Sequence, residues 1–114
     1  MLAFASVVTL GGPVASYRAN LRAAAPVPPA TRSSAQVYSR HCASCHGRDG
    51  AAKTVKAKRN HARNLVDAEW QDRVSDERIF NSIMNGKGKM PEYGKKLSET
   101  EINELVTYVR RLRR

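Results

Sequence analysis

Two cysteines and a histidine stand within five residues of one another in the run Cys42-Ala43-Ser44-Cys45-His46. Because the two thiols lie three positions apart, on a helical turn each can form a thioether with one vinyl group of a haem. The histidine that follows can lie under the porphyrin and bind its iron. C-x-x-C-H is the attachment signature of c-type haem. The motif therefore predicts one haem, bound covalently through Cys42 and Cys45, with His46 as an iron ligand.

Three other chemistries use a similar spacing. A redox-active dithiol normally precedes a helix in a chain that alternates strands with helices, and this sequence has no such strand pattern. A zinc site that adds His41 or His61 to the same three side chains lacks the second spaced pair of ligands that structural zinc usually requires. A disulfide between Cys42 and Cys45 would close a tight, strained ring. The rest of the chain favours haem attachment over these alternatives.

A second ligand is expected on the other face of the iron, and methionine suits an electron carrier because it raises the reduction potential. Met84 falls in a predicted helical stripe, where a methionine usually fills the core. Met90 lies in the loop formed by residues 86–91, where glycines allow a close backbone approach and Pro91 stiffens the chain. Met90 is therefore the predicted ligand, and His61, in a basic loop, is its competitor.

The segments that must position these side chains read as helices joined by loops from Ser33 onward. Ser33 or Ser34 is expected to cap a first helix that runs into the cysteine motif, and Asp67 a short helix. Residues 47–64 are rich in glycine and lysine without a period, and they are predicted to form a loop. Ser75 opens a longer helix, whose buried stripe comprises Ile79, Phe80, Ile83 and Met84.

The last helix carries several local signals that agree. Ser98 and Glu101 are spaced as a capping box, and Leu97 with Ile102 as a hydrophobic staple. Apolar residues then recur at helical spacing, namely Ile102, Leu105, Val106, Val109 and Leu112. We therefore predict that the chain beyond the linker is all-α.

Together these motifs resemble those of the class I monohaem cytochromes c. The likeness rests on the Cys-Ala-Ser-Cys-His-Gly run, the loop containing Met90 and the terminal helix with Tyr108, and it covers roughly residues 33–112. It implies the cytochrome c fold, with three to five short helices wrapped around one covalently bound haem and the N- and C-terminal helices crossing. It also implies one-electron transfer, with the iron cycling between Fe(II) and Fe(III).

The resemblance also assigns packing roles to individual residues. Tyr108 matches an aromatic residue that packs on a small residue of the first helix, where Ser34 or Ala35 stands in place of the usual glycine. Leu65 matches an apolar residue that packs on the ring. The family commonly has a proline soon after the motif whose carbonyl orients the proximal histidine, but no proline occurs between positions 29 and 91. The acceptor for the second ring nitrogen of His46 is therefore unassigned.

The chain of 114 residues has a formal net charge of +10. Its basic residues do not alternate with aromatic ones as a single-strand binder requires, and it has no helix-turn-helix or zinc-finger pattern, so nucleic acid is not the expected partner. The charge indicates steering toward acidic surfaces of redox proteins or toward an anionic membrane face. The alternative is a uniformly basic, solvated surface. Eight basic residues flank Met90 or populate the 47–64 loop: Lys53, Lys56, Lys58, Arg59, Lys87, Lys89, Lys95 and Lys96.

Three segments divide the chain. Residues 1–25 are predicted to be a signal peptide or N-terminal leader, residues 26–32 a Pro-rich linker, and residues 33–114 the cytochrome c domain. The apolar run of the leader is short and interrupted, so an uncleaved membrane tether is only the alternative. Haem attachment of this type implies the periplasm or another place outside the cytoplasmic membrane.

The expected function is that of a monomeric electron carrier, not an enzyme, in a respiratory or related chain. Its predicted partners are acidic redox proteins, such as an oxidase, a reductase or a dehydrogenase. Two alternatives are open. The chain could be a cytochrome c subunit held in a larger membrane oxidoreductase, or a haem peroxidase or gas sensor, which would require the Met90 position to be displaceable.

Overall fold

The computed structural model describes residues 32–114, which carry six helices and no strand. The helices are α1 Ser34–His41, α2 Ala43–His46, α3 Val55–Asn60, α4 Ala68–Arg73, α5 Asp76–Asn85 and α6 Glu99–Arg111. The prediction of an all-α domain is confirmed. The predicted leader and all of the predicted linker except Arg32 lie outside the described residues.

The predicted helix starts are the observed ones because each has its capping side chain in place. Ser33 accepts a hydrogen bond from the backbone of Gln36 at the start of α1. Ser75 and Ser98 cap α5 and α6 in the same way, and Ser98 forms a reciprocal capping box with Glu101. Such side chains satisfy backbone N–H groups that have no partner within the helix.

Helix α3 corrects the prediction that residues 47–64 form a loop. Thr54 caps this helix by accepting a hydrogen bond from the backbone of Ala57 at 2.9 Å. Ala57 is buried, while the other residues of α3 are exposed or half-buried. A helix of six residues that buries one side chain has no apolar period, so the pattern of the sequence did not reveal it.

The core lies where α1 and α5 pack against α6. Its most deeply buried large side chains, each at most 2% exposed, are Val37, Tyr38, Ile102 and Leu105. The ring of Tyr108 lies 4.7 Å from the ring of Tyr38, measured between centroids. The contact between the first and last helices therefore includes a pair of aromatic rings, and the expected packing of Tyr108 on Ser34 or Ala35 stays a prediction.

A buried polar network attaches α4 to α6. The Gln71 side chain donates to the carbonyls of Leu65 and Val109, both at 2.8 Å. Arg110 donates to Gln71 Oε1 at 2.9 Å and to the carbonyl of Val74 at 2.6 Å. Since Trp70 precedes Gln71 on α4, this network fixes the position of one wall of the site described below.

Across residues 32–114, no helix combines the length and the apolar character needed to cross a bilayer.

Candidate functional site

A cavity of about 490 Å³ opens between the helices, and the four residues predicted to carry chemistry all line it. These are Cys42, Cys45, His46 and Met90. Its volume lies within the range of ligand-binding pockets, which is roughly 300–1,000 Å³. Most of the remaining wall is apolar or aromatic, with Leu65, Trp70, Val74, Ile79, Ile83 and Leu105 among its residues. The structure therefore brings together residues that are up to 48 positions apart in the sequence.

The cysteine motif forms a single helical turn directly after α1. Cys42 ends α1 and precedes α2, and His46 is the last residue of α2. Gly47 then turns the chain away with a φ of 86°, a conformation that residues with a Cβ rarely adopt. Both cysteines are free thiols in the structure and half-buried. Two adjacent thiols and an imidazole are thus presented to the same cavity.

The second ring nitrogen of His46 has a hydrogen-bond partner in the structure, which the sequence alone did not reveal. His46 Nδ1 lies 2.9 Å from the carbonyl oxygen of Arg63. A carbonyl can only accept, so Nδ1 carries the proton and Nε2 keeps its lone pair for a metal. Burial lowers the pKa of His46 more than the Arg63 contact raises it, which favours the neutral ligand form. The Arg63 carbonyl is thus placed to orient His46, the role that a proline carbonyl commonly has in the class I cytochromes c.

The two candidate methionines have different surroundings. Met84 does not line the cavity, and its sulfur packs so closely on Gly94 that a Cβ at that position would clash with it. Met90 lines the cavity, is half-buried and belongs to a turn outside any helix. This turn is closed by two backbone hydrogen bonds between Lys87 and Met90, at 2.9 and 3.1 Å. Of the two sulfur atoms, that of Met90 is therefore the one available to a group in the cavity.

His61 also lines the cavity. It is an exposed residue that ends α3 in the left-handed conformation, with a φ of 52°. Its neighbour Asn60 lies beside the cysteine motif, with Nδ2 3.9 Å from the sulfur of Cys45. His61 therefore stays a geometric competitor of Met90, and the choice of the second ligand is a prediction.

The alternatives to haem attachment find less support in the geometry. Burial first, and the neighbouring Cys45 second, raise the pKa of the Cys42 thiol to about 11. Reactive dithiols depend on a lowered thiol pKa, so this environment is the opposite of what a redox motif needs. Among the described residues, no three histidine, cysteine or acidic side chains are placed to hold a metal ion together.

Tyr93 and His41 also line the site, and sequence reasoning gave Tyr93 no role and considered His41 only for zinc. The Tyr93 hydroxyl donates to the carbonyl of His41 at 2.9 Å, and the two rings meet edge to face at 5.6 Å. The His41 Nε2 atom is buried without a hydrogen-bond partner in the described part of the chain. The only signal in the sequence for a role of Tyr93 is that it is an aromatic residue three positions after Met90.

Basic residues of α3 and of the Met90 turn meet near the site. Lys87 and Lys89 line the cavity, and Lys89 Nζ donates to the carbonyl of Arg59 at 3.0 Å. Lys56 Nζ lies 3.3 Å from the hydroxyl of Ser44, inside the cysteine motif. Positive charge is therefore concentrated beside the cysteine motif and the Met90 turn.

These observations fit a covalently held haem. The cavity presents two thiols for attachment, an imidazole with a free Nε2 and a thioether, and its wall is largely apolar. Histidine with methionine is one of the ligand pairs that c-type cytochromes use for haem iron.

Comparison with known proteins places these features in a family. The family described as "Cytochrome C oxidase, cbb3-type, subunit III" matches residues 29–109. The chain is 35% identical to the cbb3-type cytochrome c oxidase subunit FixP of Azorhizobium caulinodans, over 98% of this chain but only 38% of FixP. It is 33% identical to cytochrome c6 of Bryopsis maxima, over 66% of this chain and 83% of that protein. The solved structure of the KustC0563 c-type cytochrome is 36% identical, with a TM-score of 0.68, and covers 73% of this chain and 100% of that one.

Proposed function

The chain belongs to the class I c-type cytochromes, whose haem is covalently bound, and from this premise we propose that it is a one-electron carrier with a single haem. Its attachment residues are Cys42 and Cys45, and its iron ligands are His46 and Met90. The observation that carries the proposal is that all four side chains line one cavity of about 490 Å³. When bound there, the haem supplies a couple between Fe(II) and Fe(III).

The residues of the chain then have distinct tasks. Cys42 and Cys45 tether the ring, so the cofactor cannot be lost between redox partners. His46 is held by the Arg63 carbonyl, which fixes the orientation of its ring and directs Nε2 to the iron. Met90 would hold the iron together with His46, and an iron held by both residues would have no open position for a substrate. Electron transfer, rather than catalysis by a peroxidase or sensing of a gas, would follow from this pair of ligands.

The proposed partners of the carrier are acidic redox proteins, which it meets as a monomer. Support comes from the lysines at the site, because a positive rim raises the rate of encounter with a negative surface. Weak, transient electron-transfer complexes need only small interfaces. We also propose that residues 1–25 are a leader and residues 26–32 a linker, and that the domain of residues 33–114 works outside the cytoplasmic membrane.

A second candidate is that the chain works as a cytochrome c subunit of a larger oxidoreductase. The family match and the similarity to FixP over 98% of this chain favour it. The two functions share the same haem site and differ in whether the partner is permanent. Copurification of the native protein with an oxidase after mild solubilisation would favour the subunit.

The test of the haem site compares Met90→Ala with Met84→Ala, both made in a host that attaches c-type haem. The wild type and both variants should carry one haem by mass and by the pyridine haemochrome assay. Met90→Ala should lose the weak methionine-to-iron charge-transfer band of the ferric protein, because it removes the sulfur that lines the cavity.

Met84→Ala is the matched control, since it removes a sulfur that packs on Gly94 instead. It should keep the band. A wild-type mass equal to the bare chain would contradict haem attachment, and loss of the band in Met84→Ala alone would contradict the ligand assignment.

A further inference from the structure

The segment that carries Met90 belongs to no helix, so something else must hold it over the cavity. It is the connection between α5 and α6, and the backbone hydrogen bonds of the turn from Lys87 to Met90 join only those two residues. A ligand on such a segment dissociates whenever the segment moves. The residues that connect it to the rest of the molecule therefore decide how firmly Met90 is held.

Tyr93 connects this segment to both of its neighbours. Its backbone N–H donates to the carbonyl of Ile83 at 3.0 Å, which attaches the chain to α5. Its hydroxyl donates to the carbonyl of His41 at 2.9 Å, across 52 positions of sequence. Tyr93 is thus attached to α5 by its main chain and to the last residue of α1 by its side chain.

The His41 carbonyl, which accepts the hydrogen bond from the Tyr93 hydroxyl, lies directly beside the cysteine motif in the sequence. His41 is the last residue of α1 and directly precedes Cys42. Carbonyls in the last turn of a helix lack a partner within the helix, so the hydroxyl satisfies an acceptor that needs one. The bond therefore joins the segment that carries Met90 to the segment that carries the cysteine motif.

The surroundings of the Tyr93 ring keep its hydroxyl in place. The ring meets the His41 imidazole edge to face at 5.6 Å, and the Lys96 ammonium lies 5.8 Å from its centroid. Burial raises the pKa of Tyr93, so the hydroxyl stays protonated and remains a donor at neutral pH. The other tie to this turn, from Lys89 to the Arg59 carbonyl, is exposed to solvent and is expected to be weaker.

We propose that Tyr93 is the positioning residue for Met90. By joining the two segments that supply the iron ligands, its hydroxyl sets the fraction of molecules in which the Met90 sulfur stays bound. This role rests on the proposed ligation by Met90. Removing the hydroxyl while keeping the ring would free the Met90 segment, so that the Met90 sulfur would leave the iron more often while Cys42 and Cys45 still hold the haem.

The experiment compares the holoproteins of Tyr93→Phe and Tyr108→Phe with the wild type. Both variants lose one hydroxyl from a half-buried tyrosine, but the Tyr108 hydroxyl has no hydrogen bond in the described part of the chain. The probe is imidazole, which binds ferric iron only where the methionine has dissociated. Its apparent affinity is read from the loss of the methionine-to-iron charge-transfer band during titration.

Tyr93→Phe should bind imidazole about fivefold more tightly, which is what loss of one typical hydrogen bond predicts. Tyr108→Phe should bind imidazole as the wild type does. A purely structural role of Tyr93 would lower the urea midpoint and leave the imidazole affinity unchanged, and that result would overturn the proposal. Equal shifts in the two variants would overturn it as well.

The titration also separates this role from the ligation on which it rests. A wild-type protein without the band would contradict ligation by Met90, and the role of Tyr93 with it. A wild type with the band, combined with an unchanged affinity in Tyr93→Phe, would contradict only the role of Tyr93.

Discussion

At the scale of single residues, the side chains of the site are held mainly by backbone carbonyls. His46 bonds to the carbonyl of Arg63 and Tyr93 to that of His41, and Gln71 bonds to two more. Such partners do not depend on the identity of the accepting residue. Only the donor can be changed by substitution, so each test of these contacts must alter His46, Tyr93 or Gln71.

Glu101 offers a prediction on pH dependence at this scale. Its carboxylate accepts from the backbone of Ser98 at 2.9 Å and from Arg32 at 3.0 Å. The Ser98 contact first, and Arg32 after it, hold the pKa of Glu101 below its ordinary value of 4.5 against the opposing effect of burial. A carboxyl with a lowered pKa stabilises the fold above its ordinary pKa, and this contribution is lost as the pH falls through the folded value.

Glu101→Gln should therefore lower the melting temperature at pH 6, and this effect should shrink as the pH falls below 4.5, the ordinary pKa of the carboxyl. Thermal unfolding followed by circular dichroism between pH 3 and 7 measures the difference from wild type. Glu104→Gln, an exposed substitution on the same helix, is the control and should give a small difference at every pH. A Glu101→Gln difference that persists unchanged at pH 3 would contradict the assignment.

At this scale, residue types and their spacing predicted some residues of the candidate site and could not predict others. Cys42, Cys45, His46 and Met90 could be predicted as haem-binding residues because the cysteine motif and a methionine in a loop are typical of one chemistry. The Arg63 carbonyl could not be identified, since every residue offers a carbonyl and only the folded chain brings one near. The same reason hid the contact between Tyr93 and His41.

At the scale of elements, helices with a cap and a periodic apolar face were predicted, and the one without a period was not. Ser33, Asp67, Ser75 and Ser98 start the four predicted helices. Helix α3 has a threonine cap but buries only Ala57. Its formation depends on packing beside the cysteine motif, where Thr54 Oγ1 lies 3.5 Å from the carbonyl of Cys45. Tertiary contacts of this kind have no local signature.

The position of α4 gives a stability prediction. Gln71 is 4% exposed and satisfies two carbonyls from different segments while accepting from Arg110. Gln71→Ala would remove three hydrogen bonds from a buried site, and we expect it to lower the free energy of unfolding by about 2–3 kcal/mol. Urea unfolding of the holoprotein with an unchanged m-value measures this loss.

Arg113→Ala is the matched control for the attachment of α4. It removes a contact between α4 and the C-terminal end of the chain, namely the exposed ion pair with Asp72. Because exposed ion pairs contribute little, its effect should be much smaller than that of Gln71→Ala. Equal losses of unfolding free energy in the two variants would show that the buried network stabilises the fold no more than the exposed ion pair does.

At the scale of the whole molecule, the net charge of +10 is less informative than its distribution. Residues 48–63 contain six basic residues and one acid, whereas residues 67–77 contain five acids and one basic residue. The five ion pairs of the described residues include no basic residue from 48–63. The six basic residues of 48–63 therefore carry charges that no ion pair among the described residues neutralises, in a segment that contains α3 and follows the cysteine motif.

This asymmetry predicts that the position of a charge matters more than its effect on the net charge. Lys53→Glu and Arg111→Glu change the net charge equally, but Lys53 belongs to the basic segment 48–63 and Arg111 ends α6. With an acidic redox protein at low salt, Lys53→Glu should slow the second-order electron-transfer rate several-fold. Arg111→Glu should slow it less, because Arg111 lies outside the segment in which basic residues outnumber acidic ones.

The difference between the two variants should disappear as salt is added, since the Debye length falls from about 10 Å at 0.1 M to about 3 Å at 1 M. Stopped-flow rates across this range measure it, and reduction potentials equal to that of the wild type show that only encounter has changed. Equal slowing of both variants would mean that net charge alone steers the encounter. A rate independent of salt would mean that contact is governed by shape, and that the lysines beside the site serve only as a solvated surface.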